Sequence, residues 1–352
     1  MAAASHRVSR HRSDSDQLHP LVRRCSFAAH APLCSPHVTP TRFTATAPSR
    51  VDLAGGWTDV APYTTEVGGA VCNLAIELRA TAIVTATPPE ALPQEALMKA
   101  AWLAAGAPAV TISLTSAIPV GSGLGGSSAA GVALAAALAA SRGERLTPDE
   151  LAERSRHTET VGMGLAGGCQ DHFAAAYGGA LLLTCGVQTR VSQIALSDRC
   201  IEEFEARAMI AFTGESRMSV NTINTVMNAY RESQPETCAA LSAMSALAPQ
   251  MASALVAADI DALGALLELQ WEAQRTLHPT ISTPVIDHIV HDCAAAGALG
   301  SKALGASGGG CVLVIARAGR PDAVRRALAR HATILPLRVA RTGVQLHITA
   351  GD

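Results

Sequence analysis

The chain has 352 residues, of which 49% are hydrophobic, and a formal net charge of −2 at pH 7. That is enough apolar material for a large core in two domains or one large one, and the charge balance argues against nucleic acid or an anionic membrane as a partner. Aromatic residues make up 3%, too few for a base-stacking platform, and nine cysteines without any C-x-x-C spacing exclude a zinc or dithiol motif and read as free thiols in a reducing cytoplasm.

Residues 1–40 hold five Arg, five His and several Ser and Pro without apolar periodicity, and are expected to be a disordered tail. Order is expected to begin near Arg42, with a strand over Thr41–Ala47, a turn region over Pro48–Asp59 and a second strand through Gly69–Thr87. Thr111–Ser116 alternates as a strand and leads into a glycine loop at 119–126 and an Ala-rich helix. Thr147, Pro148 and Glu150 form a capping box that opens a helix to about Thr160. Gly178 to about Gln193 reads as paired strands.

The second half starts near Ile201, with a strand at Ala208–Thr213 and helices at 217–231, 236–257, 259–276 and 284–297. It closes with strand Cys311–Ala316, helix Pro321–His331 and strand Leu335–Ile348. Strands and helices mix in both halves, so an α+β protein in two lobes is expected, divided into 41–200 and 201–352. No apolar run reaches the ~18 residues of a membrane span, and a monomer or homodimer is expected.

The most informative segment is Pro119-Val120-Gly121-Ser122-Gly123-Leu124-Gly125-Gly126-Ser127-Ser128. It follows a strand and opens a helix. Glycines let backbone approach a ligand closely, and the free N–H groups and dipole of a helix start favour an anion. The hydroxyls of Ser127 and Ser128 add ligands for phosphate or Mg²⁺. No Lys follows the glycines, so this is not a Walker A loop.

Three further segments stand in order around it. Arg50-Val51-Asp52-Leu53-Ala54-Gly55-Gly56-Trp57-Thr58-Asp59 precedes the loop. Gly167-Gly168-Cys169-Gln170-Asp171-His172 follows it, with Glu159 twelve residues before Asp171. Ser307-Gly308-Gly309-Gly310-Cys311 lies near the C-terminus. His172 is expected to have a structural role or to lie at a substrate's edge, because its neighbour Asp171 points elsewhere on a helix or turn.

Together these segments resemble the galactokinase–homoserine kinase–mevalonate kinase–phosphomevalonate kinase (GHMP) superfamily over about Thr41 to Gly351. The resemblance implies an N-terminal lobe like ribosomal protein S5 domain 2, a ferredoxin-like C-terminal lobe, and ATP and Mg²⁺ as cofactors. It implies Asp171 as the catalytic Asp beside Arg50, with Ser127 and Glu159 on the metal. The loop 119–128, with Gly308 and Gly309, would hold the phosphates. Asp59, Trp57 and Tyr63 would meet the sugar. Gly126 departs from the motif, where relatives often carry Ser or Thr, and Gly56 and Trp57 stand where galactokinases carry Glu and His, which argues against galactose.

Two sugar-kinase branches fit. Arg50–Asp59 resembles L-fucokinases, and Thr213-Gly214-Glu215-Ser216-Arg217 resembles both those and D-glycero-D-manno-heptose 7-phosphate kinases. Single-unit length favours the heptose phosphate, phosphorylated at its anomeric hydroxyl. Arg217 would clamp the existing phosphate, with Lys302 as second choice. A kinase-like ligand sensor is the alternative of another class, but Arg50, Ser127, Glu159 and Asp171 are all present.

Overall fold

Strand β1 (Arg42–Ala54) continues straight through the stretch that sequence reading assigns to a turn after Ala47. Pro48 cannot donate to a ladder, and the β1–β2 register shifts between Pro48 and Ser49 and again between Asp52 and Ala54. Bulges of this kind let a strand carry a proline and still pair on either side. The burial of Val51, Leu53 and Ala54 supplies the apolar contact that holds the continuation in place. This is a computed structural model, and it describes residues 40–89, 91–215 and 220–350. The expected tail lies almost wholly outside the described residues, as does Arg217.

The remaining elements follow in chain order: α1 (Tyr63–Glu66), β2 (Gly69–Thr85), α2 (Ala96–Ala104), β3 (Thr111–Ser116), α3 (Gly126–Ser141), α4 (Pro148–His157), α5 (Gln170–Tyr177), β4 (Ala180–Cys185), β5 (Arg190–Ile194) and α6 (Asp198–Arg207). Then come β6 (Ala208–Phe212), α7 (Val220–Arg231), α8 (Pro235–Ala257), α9 (Ile260–Thr276), α10 (Pro284–Ala296), β7 (Ala298–Ala303), β8 (Cys311–Ala316), α11 (Pro321–Leu328), β9 (Thr333–Leu335) and β10 (Gln345–Thr349). The Thr147 capping box is formed in full.

The strands make two antiparallel sheets. The first runs β10-β1-β2-β4-β5, with β3 also on β2. The second runs β7-β8-β6-β9. Its chain order, strand–helices–strand–strand–helix–strand, and its spatial order are those of a ferredoxin-like βαββαβ unit. The chain does not divide cleanly at residue 200, because β10 returns to pair with β1, Phe43 opposite Ile348. The expected strand Leu335–Ile348 is therefore two strands in different sheets, and the stretch between them, with Pro336 and Gly343, crosses from one to the other.

Helix α3 packs on β1 and β2 and is buried on every side from Ser128 to Ala139. Its alanines make that possible, since a helix clad in small side chains has no face that must meet water. Helix α8 is, by length and composition, long and apolar enough to cross a membrane, although the sequence offered no unbroken apolar run of that size. It is half buried, against α9, β1 and β2.

Candidate active site

The glycine loop and strand β1 are bonded together. Arg50 donates its backbone N–H to Leu124 O (3.1 Å) and its Nη1 to Gly123 O (2.6 Å). Its Nε and Nη2 both reach Asp171 Oδ1 at 2.6 Å. The Arg50 side chain is 4% exposed, so this pair is screened little by solvent. Asp171 stands in the first turn of α5, where the helix dipole favours a carboxylate. Gly125 caps α3 in the left-handed region (φ 73°), and a Cβ there would lie 3.1 Å from the Asp171 carboxyl. Glycine thus permits both the turn and the close approach of loop and acid.

Ser127 and Glu159 meet across the mouth of α3. Glu159 sits in a single π-helical turn, Thr158–Gly162, that continues α4, a widening common at functional sites. Ser127 Oγ donates to Glu159 Oε1, and Ser128 Oγ donates to Oε2 at 3.3 Å. His172 Nε2 lies 3.2 Å from the same Oε2, and Ser155 Oγ lies 2.9 Å from His172 Nδ1. Burial works against ionisation of Glu159, but the His172 ring and the two serine hydroxyls outweigh it and hold the carboxyl below the ordinary glutamate range. His172 is buried and does not line the cleft. It positions Glu159.

Asp59 is buried beside them, and its Oδ2 accepts the backbone N–H of Gln170 at 3.0 Å. Burial pushes its pKa up to about 6; the Gln170 bond opposes this, and the charges of Asp171 and Asp52 add to it. Trp57, with a left-handed backbone (φ 79°), is buried at the cleft, and its Nε1 has no hydrogen-bond partner among the described residues. Non-glycine residues held there cost of order 1–3 kcal/mol and cluster at ligand sites.

These groups surround one cleft of about 600 Å³. The cluster Arg50, Asp52, Trp57, Asp59, Gln170 and Asp171 lines one part of it, Gly121–Gly123 and Gly125–Ser128 another, and the apolar side chains of Leu97, Leu114 and Ile118 a third, with Ile118 against Gly126. Val120 stands 90% exposed at the cleft.

Not every expected residue reaches it. Tyr63 is buried in the second core, its ring edge-on to Tyr230 with centroids 5.3 Å apart, and it does not line the cleft. Gly308 and Gly309 also stand back, with the Gly308 N–H bonded to Ile281 O at 3.0 Å. Their segment braces the loop instead, for Cys311 N–H donates to Ser122 O at 2.8 Å, while Gly305 and Ala306 line the cleft. Leu124 is buried under the loop. Lys302 is not an anion clamp, since it is fully buried and its Nζ is spent on Asp52.

A family model described as the GHMP kinases N terminal domain matches residues 94–179, which contain the glycine loop, Glu159 and Asp171. A second, GHMP kinases C terminal, matches residues 251–333. The chain belongs to the GHMP kinases.

Among relatives of this GHMP kinase, the bifunctional fucokinase/GDP-fucose pyrophosphorylase of Arabidopsis thaliana is 27% identical over 335 residues, covering 83% of this chain and 32% of that protein. The mevalonate kinase of Thermococcus sibiricus is 31% identical over 213 residues, covering 59% of this chain and 60% of that one. The chain thus spans about a third of the plant protein and three-fifths of the archaeal one. In fold it is similar to the crystal structure of a D-glycero-D-manno-heptose 1-phosphate kinase from Bacteroides thetaiotaomicron, with TM-score 0.70, 22% identity, and coverage of 87% and 98%.

Two features of this GHMP kinase site escaped the sequence reading. Leu97, Leu114 and Ile118 come from α2, β3 and the approach to the loop, and α2 lies in a Pro-flanked stretch that carries no clear period. Asp52 and Lys302 pair across 250 residues, which no local spacing announces. Hydroxyl and carboxylate at Ser127 and Glu159 are hard oxygen donors, the set that suits Mg²⁺ sharing its shell with phosphate oxygens and water.

Proposed function

We propose that this GHMP kinase transfers the γ-phosphoryl group of ATP to the anomeric hydroxyl of a small neutral sugar. The observation that carries this reading is the charge at the acceptor end of the cleft. Among the described residues it presents three carboxylates, Asp52, Asp59 and Asp171, and the two cations beside them, Arg50 and the buried Lys302, are already spent on Asp171 and Asp52. Carboxylates accept hydrogen bonds from hydroxyls and repel a phosphate. A deoxyhexose such as L-fucose suits that surface better than a sugar phosphate, and the fucokinase relative supports the same choice.

Each residue then has a task. The loop amides of 121–128 receive the triphosphate at the start of α3. Leu97, Leu114 and Ile118, with exposed Val120, offer apolar contact for the base. Ser127 and Glu159 would hold Mg²⁺, which supplies charge neutralisation on the phosphates. Arg50 fixes Asp171 through Oδ1, leaving Oδ2 to orient the attacking hydroxyl and accept its proton. The third donor of Arg50 holds Gly123 O, so acid and phosphate loop keep one spacing. Asp59 and Trp57 receive the sugar. The buried free thiols Cys169 and Cys185, with sulfurs 3.7 Å apart, suit a reducing compartment such as the cytoplasm.

The heptose 7-phosphate reading depends on Arg217. A coupled ADP-release assay over L-fucose, related free sugars and D-glycero-D-manno-heptose 7-phosphate decides between them, with the product read by NMR. A higher kcat/KM for a free sugar is expected. A clear preference for the heptose phosphate overturns the choice, and no ADP release with any sugar overturns the kinase reading.

A further inference from the structure

We propose that Asp52, clamped by Lys302, is an acceptor-binding carboxylate whose free Oδ1 takes a second hydroxyl of the sugar. The inference rests on the sugar-kinase reading above and adds a specificity residue to it. Asp52 lies two residues beyond Arg50 on β1, so both side chains leave the same face of the strand. It is 2% exposed and lines the acceptor end of the cleft.

Lys302 rises from β7 in the other sheet and is 0% exposed. Its Nζ donates to Asp52 Oδ2 and to Asp52 O, each at 2.8 Å. Burying an ion pair is expensive and is often no more stabilising than an apolar substitute. This one leaves an oxygen over: among the described residues Asp52 Oδ1 has no hydrogen-bond partner. Gln170, beside it in the cleft lining, also keeps its Oε1 unpartnered. Buried polar atoms are normally satisfied. Two bare acceptors at the end where hydroxyls are expected fit a polyol that completes them.

The neighbouring loop is shaped around this carboxylate. A Cβ at position 56 would lie 2.3 Å from Asp52 Oδ2 and 3.1 Å from Gln170 Nε2. Gly56 therefore leaves the room that the Asp52 carboxylate fills, and Lys302 keeps it there. The clamp also joins the sheets: a group on β7 sets the position of a group on β1.

A structural staple with a trapped water makes a different forecast from a substrate contact, and kinetics separate them. Full-length wild type and Asp52→Ala are compared on the preferred sugar and its monodeoxy analogues. Loss of a charged hydrogen bond should raise the KM for sugar about 10- to 100-fold in Asp52→Ala, with kcat and the KM for ATP within about twofold. One deoxy analogue should suffer the same loss with wild type and no further loss with Asp52→Ala, the signature of a direct partner. Asp52→Ala strands the Lys302 ammonium, so Asp52→Ala with Lys302→Met is measured alongside and should show the same missing sensitivity. A parallel change in kcat and both KM values, or equal sensitivity of wild type and variants to every deoxy position, overturns the role of Asp52 alone. Absence of turnover by wild type on every sugar overturns the sugar-kinase reading and this inference with it.

Discussion

Asp59→Asn tests the electrostatics of the acceptor end through stability rather than activity. Asp59 titrates near 6 in the folded protein against an ordinary value of 3.8, because burial and the nearby Asp171 and Asp52 disfavour its charge. An acid whose pKa is raised by folding is bound more tightly by protons in the native state. Its contribution to stability is therefore fullest below pH 3.8 and is lost as pH rises through about 6. At ~1.4 kcal/mol for each pH unit between the two values, the charged form costs the fold ~3 kcal/mol at pH 8. The amide of Asn carries no such cost and can still accept the Gln170 N–H bond now made at 3.0 Å. Asp59→Asn should be more stable than wild type at pH 8, by up to ~3 kcal/mol, and the gap should close toward pH 4. Thermal midpoints of both proteins, measured from pH 4.5 to 8, follow it. The same substitution should weaken sugar binding, a common exchange of function for stability at active sites. A variant less stable than wild type at pH 8, or a gap independent of pH, would refute the argument.

Other substitutions probe the remaining parts. Asp171→Asn should lower kcat by roughly two to four orders of magnitude while ATP still binds, and its effect should not add to that of Arg50→Ala, since the two are bonded; near-wild-type turnover would remove Asp171 from proton transfer. Glu159→Gln should raise the Mg²⁺ concentration for half-maximal rate more than the KM for sugar, and an unchanged Mg²⁺ titration would take Glu159 off the metal. Gly125→Ala should cost about 1–2 kcal/mol from its left-handed backbone and raise the KM for ATP, because a Cβ there presses on the Asp171 carboxyl; an unaltered thermal midpoint would contradict it.

Much of the secondary structure is written locally. The Thr147 capping box starts α4 where its residues stand, and Thr283 before Pro284 opens α10 with its Oγ accepting from Ile286. Side chain and backbone lie within three residues of each other in such caps, so sequence spacing carries the contact. The glycine loop is legible for the same reason: a backbone that must turn left-handed before α3 needs glycine at that position, whatever the rest of the chain does. Family membership rides on these local patterns.

Pairings between distant segments were not legible. Lys302 read as a second choice of anion clamp, and only the tertiary fold turned its side chain inward from β7 onto Asp52 of β1. Tyr63 shares a segment with Trp57, yet Tyr230 on α7 takes its ring away from the cleft. His172 adjoins Asp171 in sequence, but α5 aims it at Ser155 and Glu159 instead. β10, near the end of the chain, returned to pair along the edge of β1 in the first sheet. Sequence alone determined which residues with the chemistry for phosphoryl transfer are present and how each local turn is built. Tertiary structure decided which of them face one another, because burial and charge pairing depend on neighbours that arrive from any point in the chain.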